Sequence, residues 1–394
     1  MTDTAAPSRG AVPAVEILPA PARLDRPERL RSLDVFRGIT IAGMLLVNNP
    51  GSWSDIYAPL EHAEWNGWTP TDTIFPFFLF IVGVAMNFSF EAQLARGQGR
   101  RRVFARAARR AAILFLLGLL LAAFPYYHVD LAHLRIPGVL QRIAACFLGA
   151  SAVYLFVPKR AQPWLGAALL LGYWAVMTLV PVPGHGAGDL LTRDGSLAAY
   201  LDRTIIGTGH LWAQAKTWDP EGILSTVPAI VTVLLGIFAG RWLRADRPPA
   251  ERATVLFFAG NALMAAGLAW NAVFPINKNL WTSSYVLFMG GMAMVGLAMC
   301  YWRVDVKSAT WWTRPFTVFG MNAIAAFFLS GVFARLLILV KAPGGATVKG
   351  WIYDGAFASW LTPVNASLAF AIAFVLLWWG IMEVFYRRKV FIKV

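Results

Sequence analysis

The sequence predicts an all-α fold: a polytopic membrane helix bundle of about ten transmembrane helices, with both termini cytoplasmic. Three observations predict it. Of the 394 residues, 58% are hydrophobic and only 14% are charged, which is more apolar surface than a soluble domain of this length can hide. The apolar residues fall into runs of about 20, the length a helix needs to cross a bilayer. Lys and Arg cluster in every second connection between those runs, as the positive-inside rule requires.

Taken in order, residues 1–30 carry Pro7, Pro13, Pro19, Pro21 and Pro27 among Ala and Arg, with no apolar core of signal-peptide type. A disordered cytoplasmic tail is expected there, ahead of a membrane domain over 31–394. Spans are expected near 33–50, 72–90, 104–124, 138–157, 163–182, 222–240, 254–274, 282–302, 315–340 and 363–386. Charge supports that phase. Arg96, Arg100, Arg101 and Arg102 fill the second connection, Lys159 and Arg160 the fourth, Arg241, Arg244 and Arg247 the sixth, and Arg303, Lys307 and Arg314 the eighth. Arg387, Arg388 and Lys389 follow the last span, whereas the third connection holds only Arg135 and the seventh only Lys278. All five histidines, His62, His128, His133, His185 and His210, then face outward.

The net charge of +14 does not indicate nucleic acid, because the basic residues sit between spans and orient helices instead of lining a groove. Cys146 and Cys300 lie inside apolar runs and read as packing residues. His128, Asp130 and His133 lack further ligands at recognisable spacing, so no metal site is expected.

Chemistry concentrates between the first two spans. From Asn48 to Asp72 there is no Lys or Arg, and His62 stands among Glu61, Glu64, Trp65, Asn66 and Asp72. A loop histidine by itself is ordinarily just solvated. Here the carboxylates are placed to orient the ring, Asn48 to donate to a developing oxyanion, and the imidazole to act as general base or acyl acceptor. Asn277, Lys278, Asn279 and Trp281 suit a sugar, with amides for hydroxyls and an indole for the ring face. The same residues also suit an aromatic belt with helix caps. Arg37, Arg142 and Arg335 lie inside apolar spans, with Asp34 near the start of the first. Ionisable groups at such depth are costly, so they mark function or pair with Asp34 and helix-end carbonyls to fix packing.

Several strings resemble one family, the transmembrane acetyltransferases of the heparan-alpha-glucosaminide N-acetyltransferase type. They are Arg31 to Gly38 (RSLDVFRG), Val47-Asn48, His62 to Thr69 (HAEWNGWT) with Asp72 and Phe75-Pro76, Arg135 to Arg142 (RIPGVLQR), Phe274 to Tyr285 (FPINKNLWTSSY), Phe319 to Ala323 (FGMNA), and Tyr386 to Lys389 (YRRK). The resemblance runs from about Leu30 to the end. It implies transfer of acetyl from cytosolic acetyl-CoA to the amine of a terminal glucosamine across the membrane. His62 falls on the family's active-site histidine and Asn48 on its asparagine partner.

Under that resemblance Asp72 joins His62 and Asn48 as catalytic residues, and Arg37, Arg142, Asp34 and Arg314 are the candidates for holding the coenzyme. Glu61, Trp65, Asn66, Asn277, Lys278, Asn279 and Trp281 are the candidates for the acceptor. With no luminal region expected ahead of the first span, the acceptor is glucosamine or a short oligosaccharide, met by a homodimer in the lipid of a bacterial inner membrane. Arg37 lies eleven residues before Asn48, about 16 Å along a helix, a distance an extended pantetheine arm can thread. The competing class is an amino-sugar transporter, whose site would lie near the midplane on broken helices.

Overall fold

The computed structural model describes residues 30–190 and 192–392; the expected tail over 1–29 lies outside the described residues. The helices are α1 (Arg31–Asn48), α2 (Ile74–Ala95), α3 (Arg100–Ala122), α4 (Val139–Phe156), α5 (Gln162–Leu179), α6 (Leu197–Ile205) and α7 (Thr226–Leu243). They continue with α8 (Pro249–Trp270), α9 (Ser283–Tyr301), α10 (Arg314–Met321), α11 (Ala323–Leu339), α12 (Val348–Tyr353) and α13 (Pro363–Arg387). A hairpin of β1 (Pro181–Val182) and β2 (Gly186–Ala187) follows α5.

Each predicted span window is met by a helix, and the ninth by two. Among the described residues, six helices are long and apolar enough to cross a membrane: α2, α4, α7, α8, α9 and α13. A seventh crossing results if α10 and α11, bent by 82° at their junction, count as one. The ninth expected span, near 315–340, is thus met by a bent pair of helices. Asn322 interrupts it, bonded through its amide to Val390 O at 3.1 Å and from Ile392 N at 3.0 Å. The connection between the fifth and sixth predicted spans contains α6 and β2, while β1 takes the last two residues of the fifth window, where α5 has already ended.

Close helix packing rests on small residues. A side chain at Gly38 would strike the Phe316 carbonyl, and one at Gly320 the Asp34 carbonyl, so α1 and α10 touch backbone to backbone. Gly83 and Gly236 do the same for α2 and α7. One core joins α2, α4, α7 and α9, and a second joins α1, α10, α11 and α13. Leu116, Leu120, Trp164, Leu171, Phe258, Leu268 and Leu376 point outward and are exposed. Water would penalise that rim, and lipid accommodates it. The molecule is a multi-pass membrane protein, mostly helical over the described residues.

The two ends of the bundle are joined by α1. Its first two turns bring Arg31, Asp34 and Arg37 to one end, where α10 and the last turn of α13 lie beside it. Its last residue, Asn48, lines a cavity at the other end together with the connection to α2, the start of α4 and the connections that precede α7 and α9. Pro50 ends α1, since the residue before a proline is pushed out of the helical region.

Candidate active site

The site is built on Asp72. It lies in a single 3-10 turn, Pro70–Thr73, that leads into α2, where Thr69 and Asp72 cap each other reciprocally. Oδ2 accepts hydrogen bonds from the backbone N–H groups of Ala63 and Thr69, each at 3.0 Å. Oδ1 faces His62 Nδ1 at 2.7 Å. The carboxylate is 1% exposed and the imidazole 48% exposed, so a rigid buried anion holds a ring that still reaches solvent. With Nδ1–H donated to Asp72, the free lone pair of the neutral ring sits on Nε2. The Tyr285 hydroxyl donates to the Asp72 carbonyl at 2.7 Å and fastens this turn to α9.

Lys278 completes the cluster from the connection between α8 and α9. Its Nζ lies 3.0 Å from His62 Nδ1, 3.2 Å from Nε2 and 3.6 Å from Asp72 Oδ1. Burial pulls the Lys278 amine below its ordinary pKa, against the opposing pull of Asp72 and Glu221. The loop that carries it is tight. Asn277 Oδ1 accepts from Leu280 N at 2.9 Å, and Thr282 Oγ1 accepts from Asn277 N at 3.0 Å. Trp281 adopts a φ of 52° and is fully buried, its indole N–H donating to Thr232 at 3.1 Å.

These groups border a cavity of about 500 Å³. His62, Asn48, Lys278, Asn279, Glu64, Arg193, Arg135 and Glu221 ring its polar part together with Trp212 and Trp218. Ile41, Met44, Ile74, Phe78, Ile143, Ile324 and Phe327 line the apolar part, which reaches Thr40. From Asn48 to Thr40 is about 12 Å along α1, and Thr40 is one helical turn from Arg37. Among the described residues, the side-chain amides of Asn48 and Asn279 have no protein partner, so both are available to something in the cavity. Arg135 is fixed by Asp219 at 2.7 and 2.9 Å and by Glu221 at 2.6 Å, which orders the connection before α7 against the rim.

An apolar cavity with an oriented imidazole and two available amides at its polar part suits acyl transfer. The family model for heparan-alpha-glucosaminide N-acetyltransferase, catalytic, matches residues 29–267. The chain belongs to that family. It is 32% identical over 369 residues to the heparan-alpha-glucosaminide N-acetyltransferase of Homo sapiens, covering 81% of this chain and 55% of that protein. To the protein of the same name from Mus musculus it is 30% identical over 349 residues, covering 76% and 53%. The chain thus spans about half the length of these curated relatives.

In this member of the heparan-alpha-glucosaminide N-acetyltransferase family, the structure pairs His62 with Asp72 and puts Asn48 on the same cavity as His62. Of the three carboxylates expected to orient His62, only Asp72 does so. Glu61 is exposed and outside the cavity lining, and Glu64, at the rim, faces Arg193 at 3.6 Å. Lys278 and Asn279 reach the cavity, whereas Trp65, Asn66, Asn277 and Trp281 do not line it. Trp65 donates to Leu190 O at 2.9 Å, Asn66 accepts from Asn277 at 3.1 Å, and Trp281 packs on Phe75 and Tyr285. They shape the loops that carry the site.

The basic candidates separate. Arg37 contacts Asp34 at 3.5 Å and Gly320 O at 3.0 Å, one turn beyond the cavity, and feels the charge of Arg110 on α3. Arg314 lies at the same end and pairs with Glu383, which also binds Arg387 at 2.8 Å. Arg142 is not with them. It lies on the first turns of α4 at the His62 end, 2% exposed, donating to Gly222 O at 3.0 Å and to Ser225, with its guanidinium 5.3 Å from the Trp281 ring. Those contacts lock α4 to α7. Arg335 donates to Gly331 O of its own helix at 3.1 Å. Trp212, Trp218 and Glu221 lie in the long connection from Pro183 to Gly222, which the sequence marks as able to help hold a saccharide, whereas sequence reasoning missed Arg135 and Arg193 as cavity residues. Their partners lie 84 or more residues away, which leaves no local pattern to find.

Proposed function

We propose that this chain is a transmembrane acetyltransferase that moves acetyl from acetyl-CoA on the cytosolic side to the amine of a glucosamine-type sugar on the opposite side. Ten crossings with both termini in the cytosol put Arg37, Arg110 and Arg314 at the donor end and His62 at the acceptor end. In a cell with a periplasm the membrane is the inner one. The single observation that carries this reading is the cavity itself, apolar along α1 and polar at His62, which suits a thioester arm entering from the Arg37 end.

In this mechanism His62 Nε2 takes a proton from the acceptor amine as its nitrogen attacks the thioester carbonyl. Asp72 stays ionised, holds Nδ1–H and stabilises the imidazolium that forms. Asn48 donates to the oxygen that becomes negative, and Asn279 lines the same cavity. The imidazolium then returns its proton to the departing thiolate, and the carbon–sulfur bond breaks as the amide forms. Trp212 offers the acceptor a ring face, and Glu64 and Glu221 suit its hydroxyls and its ammonium form.

Purified protein in liposomes loaded with labelled acetyl-CoA, given glucosamine outside, tests the whole reading. Labelled N-acetyl product outside is the expected result. Absence of product, with labelled glucosamine accumulating inside in the reciprocal assay, would replace the enzyme with a transporter.

A further inference from the structure

Lys278 holds a position that the proposed chemistry reserves for the acceptor. A reacting amine must lie within hydrogen-bond reach of the imidazole base, about 2.6–3.2 Å between heavy atoms, and face the thioester. Lys278 Nζ already lies 3.2 Å from His62 Nε2, lines the cavity and is only 17% exposed. It is a primary amine on a flexible four-carbon stem, beside the same Asp72 carboxylate that orients the base. Its Nζ also lies 3.0 Å from His62 Nδ1 and 3.6 Å from Asp72 Oδ1, so a small swing of the stem toward Nε2 is what brings it into line with the base.

We propose that Lys278 is a self-acetylation site: with donor bound and no sugar present, its amine takes the acetyl group intended for the acceptor. This rests on the acetyltransferase reading above. The Lys278 ammonium first gives up one proton to solvent at the cavity mouth; the lone pair of the neutral amine then forms the new carbon–nitrogen bond as His62 Nε2 removes a second proton from Nζ. The carbon–sulfur bond breaks, and the coenzyme thiolate leaves with the proton returned by the imidazolium. The product is a neutral amide at Nζ, which loses the attraction to Asp72 and fills the space beside the ring. The acetylated enzyme is closed to sugar, so donor without acceptor switches it off. Glu221, the other carboxylate felt by Lys278, is the natural partner for Nζ when a sugar amine displaces it.

The test uses the full-length protein in detergent or liposomes, incubated with acetyl-CoA alone, then taken through peptide mass spectrometry and a later assay of glucosamine acetylation. The expected result is acetyl on Lys278 in the wild type, suppressed by glucosamine and absent in His62→Ala, with subsequent sugar turnover reduced several-fold. Lys278→Arg keeps a cation that accepts no acetyl, and preincubation with acetyl-CoA is expected to leave whatever turnover that variant has undiminished. Sugar acetylation with Lys278 unmodified would overturn this inference and leave the enzyme reading standing. Equal modification in His62→Ala would overturn it as well, by showing uncatalysed chemistry. Failure to acetylate either amine would remove the acetyltransferase reading and this inference with it.

Discussion

Two histidine–aspartate pairs in this protein have the same contact distance and opposite surroundings. His62 and Asp72 meet at 2.7 Å, and so do His133 and Asp130. Asp72 is 1% exposed and held by two backbone N–H groups, while Asp130 is 54% exposed and His133 73%. The first pair opens onto a 500 Å³ cavity and the second onto solvent. The difference teaches that the contact is not the site. A carboxylate fixed in a low-dielectric setting keeps an imidazole in one tautomer and orientation, whereas an exposed pair is screened and rearranges freely.

The largest test of that contrast is His62→Ala against His133→Ala. The first is expected to lower acetyl transfer by about 10²–10⁴-fold or more while the protein stays folded and binds acetyl-CoA; the second is expected to leave turnover unchanged. Equal losses in a purified assay would erase the distinction. Asp72→Asn comes next, with kcat falling by about 10²–10⁴-fold and the protein less stable, because an amide whose oxygen accepts from Ala63 and Thr69 turns its NH2 to His62 Nδ1, favours the wrong tautomer and carries no charge. Asp130→Asn should do neither, by kinetics and thermal unfolding together.

Arg37→Ala sharpens the contrast from the far end of α1. Loss of a charge-assisted contact worth about 1.5–3 kcal/mol should weaken acetyl-CoA binding by about 10–100-fold in calorimetry, with kcat at saturating donor little changed. Unchanged binding would make Arg37 a packing residue held by Asp34 and Gly320. The smallest effect concerns Asp202, a carboxylate on α6 buried without a bonded histidine or guanidinium among the described residues. Burial pushes its pKa up to about 6, although it accepts from Ile223 N at 2.9 Å. Since the folded state holds that proton more tightly than the unfolded chain, its contribution to stability is full below the ordinary carboxylate pKa. That contribution is lost as pH rises through about 6. Asp202→Asn should flatten the fall in melting temperature between about pH 5 and about pH 7.5; an unchanged slope would assign the fall elsewhere.

Much of the fold was legible because lipid leaves a chain few options. Backbone groups must bond within the segment, so an apolar run of sufficient length becomes a helix wherever it packs, and helices form at every predicted window. The bend at Asn322 was not legible, since its cause is a hydrogen bond to the C-terminal residues Val390 and Ile392. His62 and Asn48 stood out by residue type and by resemblance. Glu61 was as good a partner for the ring as Asp72 on sequence grounds, because proximity in the chain says little about direction in a loop.

The sequence by itself determined a membrane-embedded helical chain, the family it belongs to, and the polar stretch in which its chemistry concentrates, all of which depend on local composition and contiguous motifs. Only the tertiary structure decided that Asp72 orients His62, that Lys278 crosses 216 residues to lie against the same ring, and that Arg142 sits at the opposite end of the bundle from Arg37. Those are matters of which helix ends meet. They are set by close approaches such as Gly38 on α10 and Gly83 on α7, where the absence of a side chain on one helix acquires meaning only from the backbone that fills the space.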